Sequence, residues 1–123
     1  MIKNSLLVGL GGALGSILRY LTSVITAKYY HDAFPLATFI INIIGCFIIG
    51  LLIGYFGQIN GDNQNLRLLF ITGFCGGYTT FSTFAAENIS LMQNHQYTTL
   101  IAYTLASIIF GFLAVGLGLM LAK

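Results

Sequence analysis

Twelve consecutive residues, GFCGGYTTFSTF at 73 to 84, combine three glycines, four serine or threonine hydroxyls and three phenylalanines. Gly73, Gly76 and Gly77 each weaken a helix by about 1 kcal/mol relative to alanine, and Thr79 and Thr80 compete for backbone groups. The pattern predicts a helix interrupted near 76 to 80. An interruption inside a membrane frees carbonyls that need new partners, and such carbonyls are hard oxygen ligands suited to a small cation such as sodium. Beyond it, Phe81 and Phe84 are three apart and share a helical face, with Ser82 and Thr83 beside them. Ring edges carry positive potential, so edges and hydroxyl donors in a row make a path that attracts a small anion without a fixed charge to trap it.

Other polar residues fall in apolar surroundings. Arg19 lies fourteen residues after Ser5, about 21 Å along a helix axis. It has two readings: a side chain snorkelling to the far interface, or a cation facing an aqueous vestibule where it gathers anions. Glu87, one turn after Phe84, is a second intramembrane charge. Thr38 and Asn42 are four apart on one face, and an amide in the middle of an aliphatic span is costly unless partnered. Asn42 is then either glue between helices or a donor to a passing anion. Tyr103 and Ser107 repeat the four-residue spacing, either satisfying neighbours or completing a donor-lined track.

The elements that carry these residues are apolar throughout. The 123-residue chain is 57% hydrophobic and 7% charged, with a mean hydropathy of +0.89, where a soluble domain carries about 25% charged residues. Four runs, roughly 5 to 27, 35 to 57, 66 to 93 and 97 to 122, are each long enough to cross the bilayer. Their continuity argues against the alternating ten-residue segments of a β-barrel. The expectation is an all-α membrane protein with four transmembrane helices in a single domain, 1 to 123, the third helix broken. Pro35 suits the first turn of the second helix.

Composition also excludes. Five basic residues are scattered, with no basic run, so nucleic acid is not an expected partner. Cys46 and Cys75 lie inside spans and form no metal-binding pattern with His31 and His95, which fall in loops. No Ser-His-Asp, Cys-His or paired-carboxylate arrangement occurs, so no enzyme is expected. Lys3, Arg67 and Lys123 stand against Lys28 across the membrane, a weak positive-inside bias compatible with insertion both ways. Four short helices enclose little, so a two-fold dimer is expected, with Gly11/Gly15, Gly50/Gly54 and Gly73/Gly77 as candidate contact faces.

Three stretches in order, GLGGALGSILRY at 9 to 20, the Thr38/Asn42/Gly45 pattern, and GFCGGYTTFSTF at 73 to 84, resemble the Fluc fluoride channels, or CrcB-like proteins, over essentially the whole chain. Ala37, Cys46 and Tyr78 depart from the usual pattern. The resemblance implies an antiparallel, dual-topology homodimer in the inner (plasma) membrane of a prokaryote, with two fluoride pores and a sodium ion on the two-fold axis. It implies sodium-binding carbonyls at Gly76 and Thr79, and a fluoride path lined by Asn42, Phe81, Phe84, Ser82, Thr83, Tyr103 and Ser107. Arg19 and Glu87 would lie near the vestibules. The implied activity is passive fluoride export that limits cytoplasmic toxicity. A small multidrug-type cation/proton antiporter has the same size and topology, but its mechanism needs an acid in the first helix. Here that helix holds Arg19 and no acid, and the chain has no tryptophan for an aromatic drug site.

Overall fold

The computed structural model describes residues 1–123. Helix α1 spans Ile2–Tyr29, α2 Leu36–Gln58 and α6 Tyr97–Leu121, and each is long and apolar enough to cross a membrane. Between α2 and α6 the third crossing is assembled from pieces. It begins as α3 (Gln64–Arg67), winds as a π-helix over Leu68–Cys75, and returns to α-helix in α4 (Gly76–Tyr78). Thr79 and Thr80 are extended, and α5 (Phe81–Gln93) restarts the helix.

The connections follow local chemistry. Leu36 begins α2 directly after Pro35, whose carbonyl accepts from the Phe39 N–H at 3.1 Å. Gly61 takes φ +100 in the turn before α3, a conformation open to glycine. At the end of α5, Gln96 N–H bonds Leu91 O and His95 N–H bonds Met92 O, while His95 sits at φ 58. This is the Schellman closure, with histidine in the left-handed position glycine usually holds.

Glycines set which helices touch. A Cβ at Gly73 would lie 2.8 Å from Val8 O, and one at Gly77 would lie 2.6 Å from Gly12 O. In return, Gly11 and Gly15 face the backbones of Leu69 and Phe74. The first and third crossings therefore meet backbone to backbone. A second glycine seam joins α2 to α6, where Gly50 faces Val115 O and Gly118 faces Phe47 O. The small-residue pairs expected as faces for another copy are thus filled within the chain. Close approach of this kind replaces the missing hydrophobic drive between helices in lipid with packing and backbone contact.

Two substitutions on α1 should separate on this basis. An added methyl at Gly12 meets only Gly73 O, at 3.7 Å, whereas one at Gly15 meets Tyr78 N at 2.8 Å. Gly12→Ala is expected to hold or raise the melting temperature in detergent, since it gains helix propensity. Gly15→Ala should lose about 1–3 kcal/mol of stability through overpacking.

The interruption is narrower than the expected 76 to 80. Gly76 keeps helical angles, φ −62 and ψ −36, and the helix leaves its course only at Thr79 and Thr80. The glycines are used for approach to α1, and the threonines make the break. Only 15 of 123 residues are buried, so the chain covers little of its own apolar surface. The rest is left for lipid and for whatever else packs on it.

Candidate functional site

A groove of about 610 Å³ runs along the break, between α2, the π-helical segment, the start of α5 and α6. Of the residues singled out from sequence, Asn42, Gly76, Thr79, Phe81, Phe84 and Ser107 line it. They come from four separate elements, and the break is what brings them together.

Asn42 holds the break open. Its Nδ2 donates to Thr80 O at 3.0 Å, and its Oδ1 accepts from Thr80 N–H at 2.8 Å. A backbone N–H can only donate and a carbonyl can only accept, so this pair fixes which way the amide points. The partner of Asn42 is thus the unwound backbone, and one amide N–H is committed to it.

The consequence falls on two carbonyls. In an uninterrupted helix Thr80 N–H would bond Gly76 O, and Thr83 N–H would bond Thr79 O. Here Thr80 N–H goes to Asn42, and Thr83 N–H goes to the Thr80 hydroxyl at 3.2 Å. Gly76 O and Thr79 O therefore lose their ordinary donors, and both residues border the groove. A pair of carbonyls released in this way is the donor set that suits a sodium-like cation. No group of three or more His, Cys, Asp or Glu gathers anywhere in the chain, so a site of the transition-metal kind has no ligand set.

Thr80 has a second task. Its hydroxyl caps α5, accepting from Thr83 N–H and donating to Thr83 Oγ1 at 3.0 Å. Thr79 Oγ1 donates to Cys75 O at 2.8 Å, tying the last turn before the break. Sequence reasoning did not place Thr80 in the site. A threonine directly before a restarted helix is a readable N-cap signal.

Past the break, Phe81 and Phe84 lie with ring centroids 5.8 Å apart, and Phe84 packs on Tyr103 at 5.0 Å. Phe81 is 78% exposed, and Tyr103 is fully buried. Behind Phe84 a second polar cluster forms around Glu87. Thr38 Oγ1 donates to Oε2 at 2.9 Å, and the Tyr103 hydroxyl donates to Oε1 at 2.8 Å. A carboxylate at membrane depth needs such partners. The two four-residue pairs expected as units are split by this arrangement. Thr38 and Tyr103 face Glu87, while Asn42 and Ser107 face the groove. Spacing pairs Thr38 with Asn42, but its hydrogen-bond partner lies 49 residues away on another helix.

Three candidates remain, Ser107 on the groove wall and Ser82 and Arg19 off it. Ser107 Oγ is buried and has no hydrogen-bond partner within the chain. Ser82 is exposed, with its Oγ 3.4 Å from Thr80 Oγ1. Arg19 turns onto the third crossing: its Nε donates to Gly77 O at 3.0 Å, from α1 onto the last turn before the break.

The CrcB-like protein, Camphor Resistance (CrcB) family model matches residues 6–119. A protein named fluoride-specific ion channel FluC from Azobacteroides pseudotrichonymphae is 46% identical over 123 residues, covering 100% of this chain and 98% of the relative. One of the same name from Flavobacterium psychrophilum is 46% identical over 122 residues, covering 99% and 98%. Another, from Ignicoccus hospitalis, is 42% identical over 122 residues, covering 99% and 97%. The matched region takes in both glycine seams, the threonine break and the groove beside it, and by that match the chain belongs to the CrcB-like family.

Proposed function

We infer that this protein is a fluoride-specific ion channel and not an enzyme. The observation that carries the reading is similarity along the full chain to proteins that bear that name. It is a multi-pass membrane protein, consistent with an inner membrane location. Fluoride holds its hydration water tightly, so a path for it must offer substitutes for water. In support, the groove is lined by the unpartnered Ser107 hydroxyl and by the rings of Phe81 and Phe84, whose edges would serve as such substitutes. Nothing in the groove favours the antiporter reading, whose mechanism needs a carboxylate in the first helix.

The finer reading is an antiparallel homodimer with two pores and a structural sodium ion on its axis. In support, the groove is open along one side of the chain and exposes Phe81, an arrangement a second copy would close. The glycine faces are already used internally, which leaves this face for association. Asn42, Phe81, Phe84 and Ser107 would line the fluoride path, with Ser82, Thr83 and Tyr103 alongside. The carbonyls of Gly76 and Thr79 would hold the sodium ion, which supplies fixed positive charge at the interface. Arg19 and Glu87 would flank the route.

Protein reconstituted in liposomes tests the channel. Fluoride efflux read by electrode is expected to rise far above empty vesicles, with chloride passing poorly. Equal fluoride release from empty and protein-bearing vesicles would overturn the reading. Cross-linking in the same vesicles should trap a dimer and no larger species.

A further inference from the structure

In a continuous helix the Gly77 carbonyl would accept from the Phe81 N–H. Extended Thr79 and Thr80 carry Phe81 out of range of that register. The Nε–H of Arg19 takes the vacated place at 3.0 Å, across 58 residues of sequence, and this is the hydrogen bond Arg19 makes within the chain. Gly76 directly precedes that carbonyl and Thr79 follows two residues on, and these are the two whose ordinary donors bond elsewhere.

The surroundings of Arg19 are arranged for this contact. Gly11, Gly15 and Arg19 are four apart and share a face of α1. Gly15 is pressed against Phe74 O and Tyr78 N, where no larger residue fits. One turn further, Thr22 Oγ1 lies 3.1 Å from the Tyr78 hydroxyl. That face meets α4 on both sides of Arg19, its backbone at Gly15 and the Tyr78 side chain at Thr22. The glycines let α1 approach closely enough for a side-chain nitrogen to stand in for a backbone one.

We propose that Arg19 is a positioning residue. By holding Gly77 O it fixes the peptide plane between Gly77 and Tyr78, and so steadies the adjoining Gly76 carbonyl and the point from which the chain turns out into extended Thr79. Asn42 clamps the break from α2, and Arg19 clamps it from α1. Its value lies in the placement of the Nε donor and not in charge that gathers anions at a vestibule. The flux readout below rests on the fluoride-channel reading; the exchange readout does not.

Three variants separate donor from charge. Arg19→Gln carries a neutral N–H donor the same number of bonds from Cα as Nε. Arg19→Lys keeps the charge but moves its nitrogen one bond further out. Arg19→Met keeps bulk and loses both. Positioning predicts near wild-type fluoride efflux for Gln, a clear loss for Lys, and a loss of about tenfold or more for Met, because a charge-assisted hydrogen bond is removed from a partly buried carbonyl. Hydrogen exchange of residues 79–84 in detergent-solubilised protein should quicken in Lys and Met and stay unchanged in Gln. Anion gathering predicts the reverse order, Lys above Gln, with the difference shrinking as ionic strength rises. Lys equal to or above Gln in efflux, or exchange unaltered in all three variants, would overturn the proposal. If wild-type protein moved no fluoride, the channel reading would fail while exchange still decided this one. Should the Met variant fail to fold, the Gln and Lys pair carries the comparison.

Discussion

Asn42→Asp is expected to abolish fluoride efflux while leaving the four crossings intact. Aspartate keeps an acceptor for Thr80 N–H but cannot donate to Thr80 O, and it sets a carboxylate oxygen against that carbonyl. Leaving this partly buried carbonyl unpaired costs about 1–3 kcal/mol, which alone is worth about fivefold or more. The charge adds to this by standing on the wall of the groove that an anion would follow. Asn42→Ala removes both hydrogen bonds and adds no charge, so the two variants together separate the terms. If the path runs past Asn42, Asp conducts less than its loss of melting temperature accounts for, and Ala does not. If Asn42 acts only as a clamp, efflux in both variants falls in step with their loss of melting temperature. Efflux measured beside melting temperature gives both comparisons in one experiment.

Asn42 also shows where sequence reading stops. A buried amide in an aliphatic helix declares that it has a partner, because leaving it unpaired is costly. It does not name the partner, since Thr80 lies 38 residues away and reaches Asn42 only once α2 and the third crossing pack. The same limit governs Arg19. Periodicity placed it deep in α1, and the side of the helix it uses was open until Gly15 and Gly77 fixed the approach of the two backbones.

Crossings were legible because length and apolarity are properties of a single segment. The expected run 35 to 57 differs from Leu36–Gln58 by one residue at each end. The break was legible as a region, because glycine and threonine propensities are local, but its division of labour was not. Glycine at 73 and 77 looked like weakness in the helix, and it serves contact with α1. The π-winding over Leu68–Cys75 left no mark in the apolar pattern, since a run of eight residues that is almost entirely apolar reads alike in either winding. Glycine pairs were read as faces for a second copy because spacing cannot distinguish a neighbour in the same chain from one in another. The groove emerged as the open face only when these seams were seen to be filled.

Replacing Phe81 by isoleucine is the sharpest test of that open face. With 78% of its surface exposed, Phe81 makes little of the fold of a single chain. Its loss should leave melting of the chain nearly unchanged and act on transport. Phe84 differs, because its ring packs 5.0 Å from Tyr103, which in turn holds Glu87. Phe84→Ile is expected to cost about 1–3 kcal/mol of stability through altered packing as well as lowering efflux. A ring-edge contact of about 1–1.5 kcal/mol at the barrier is worth about tenfold in rate, so each variant should fall by that order. Isoleucine preserves apolar bulk, which leaves the aromatic edge as the property removed. Unchanged efflux in both variants, with protein folded and inserted, would rule out ring edges as ligands. A fall in Phe84→Ile alone, tracking its loss of stability, would assign Phe84 to support of the Tyr103 and Glu87 cluster and leave the unpartnered Ser107 hydroxyl as the groove's donor.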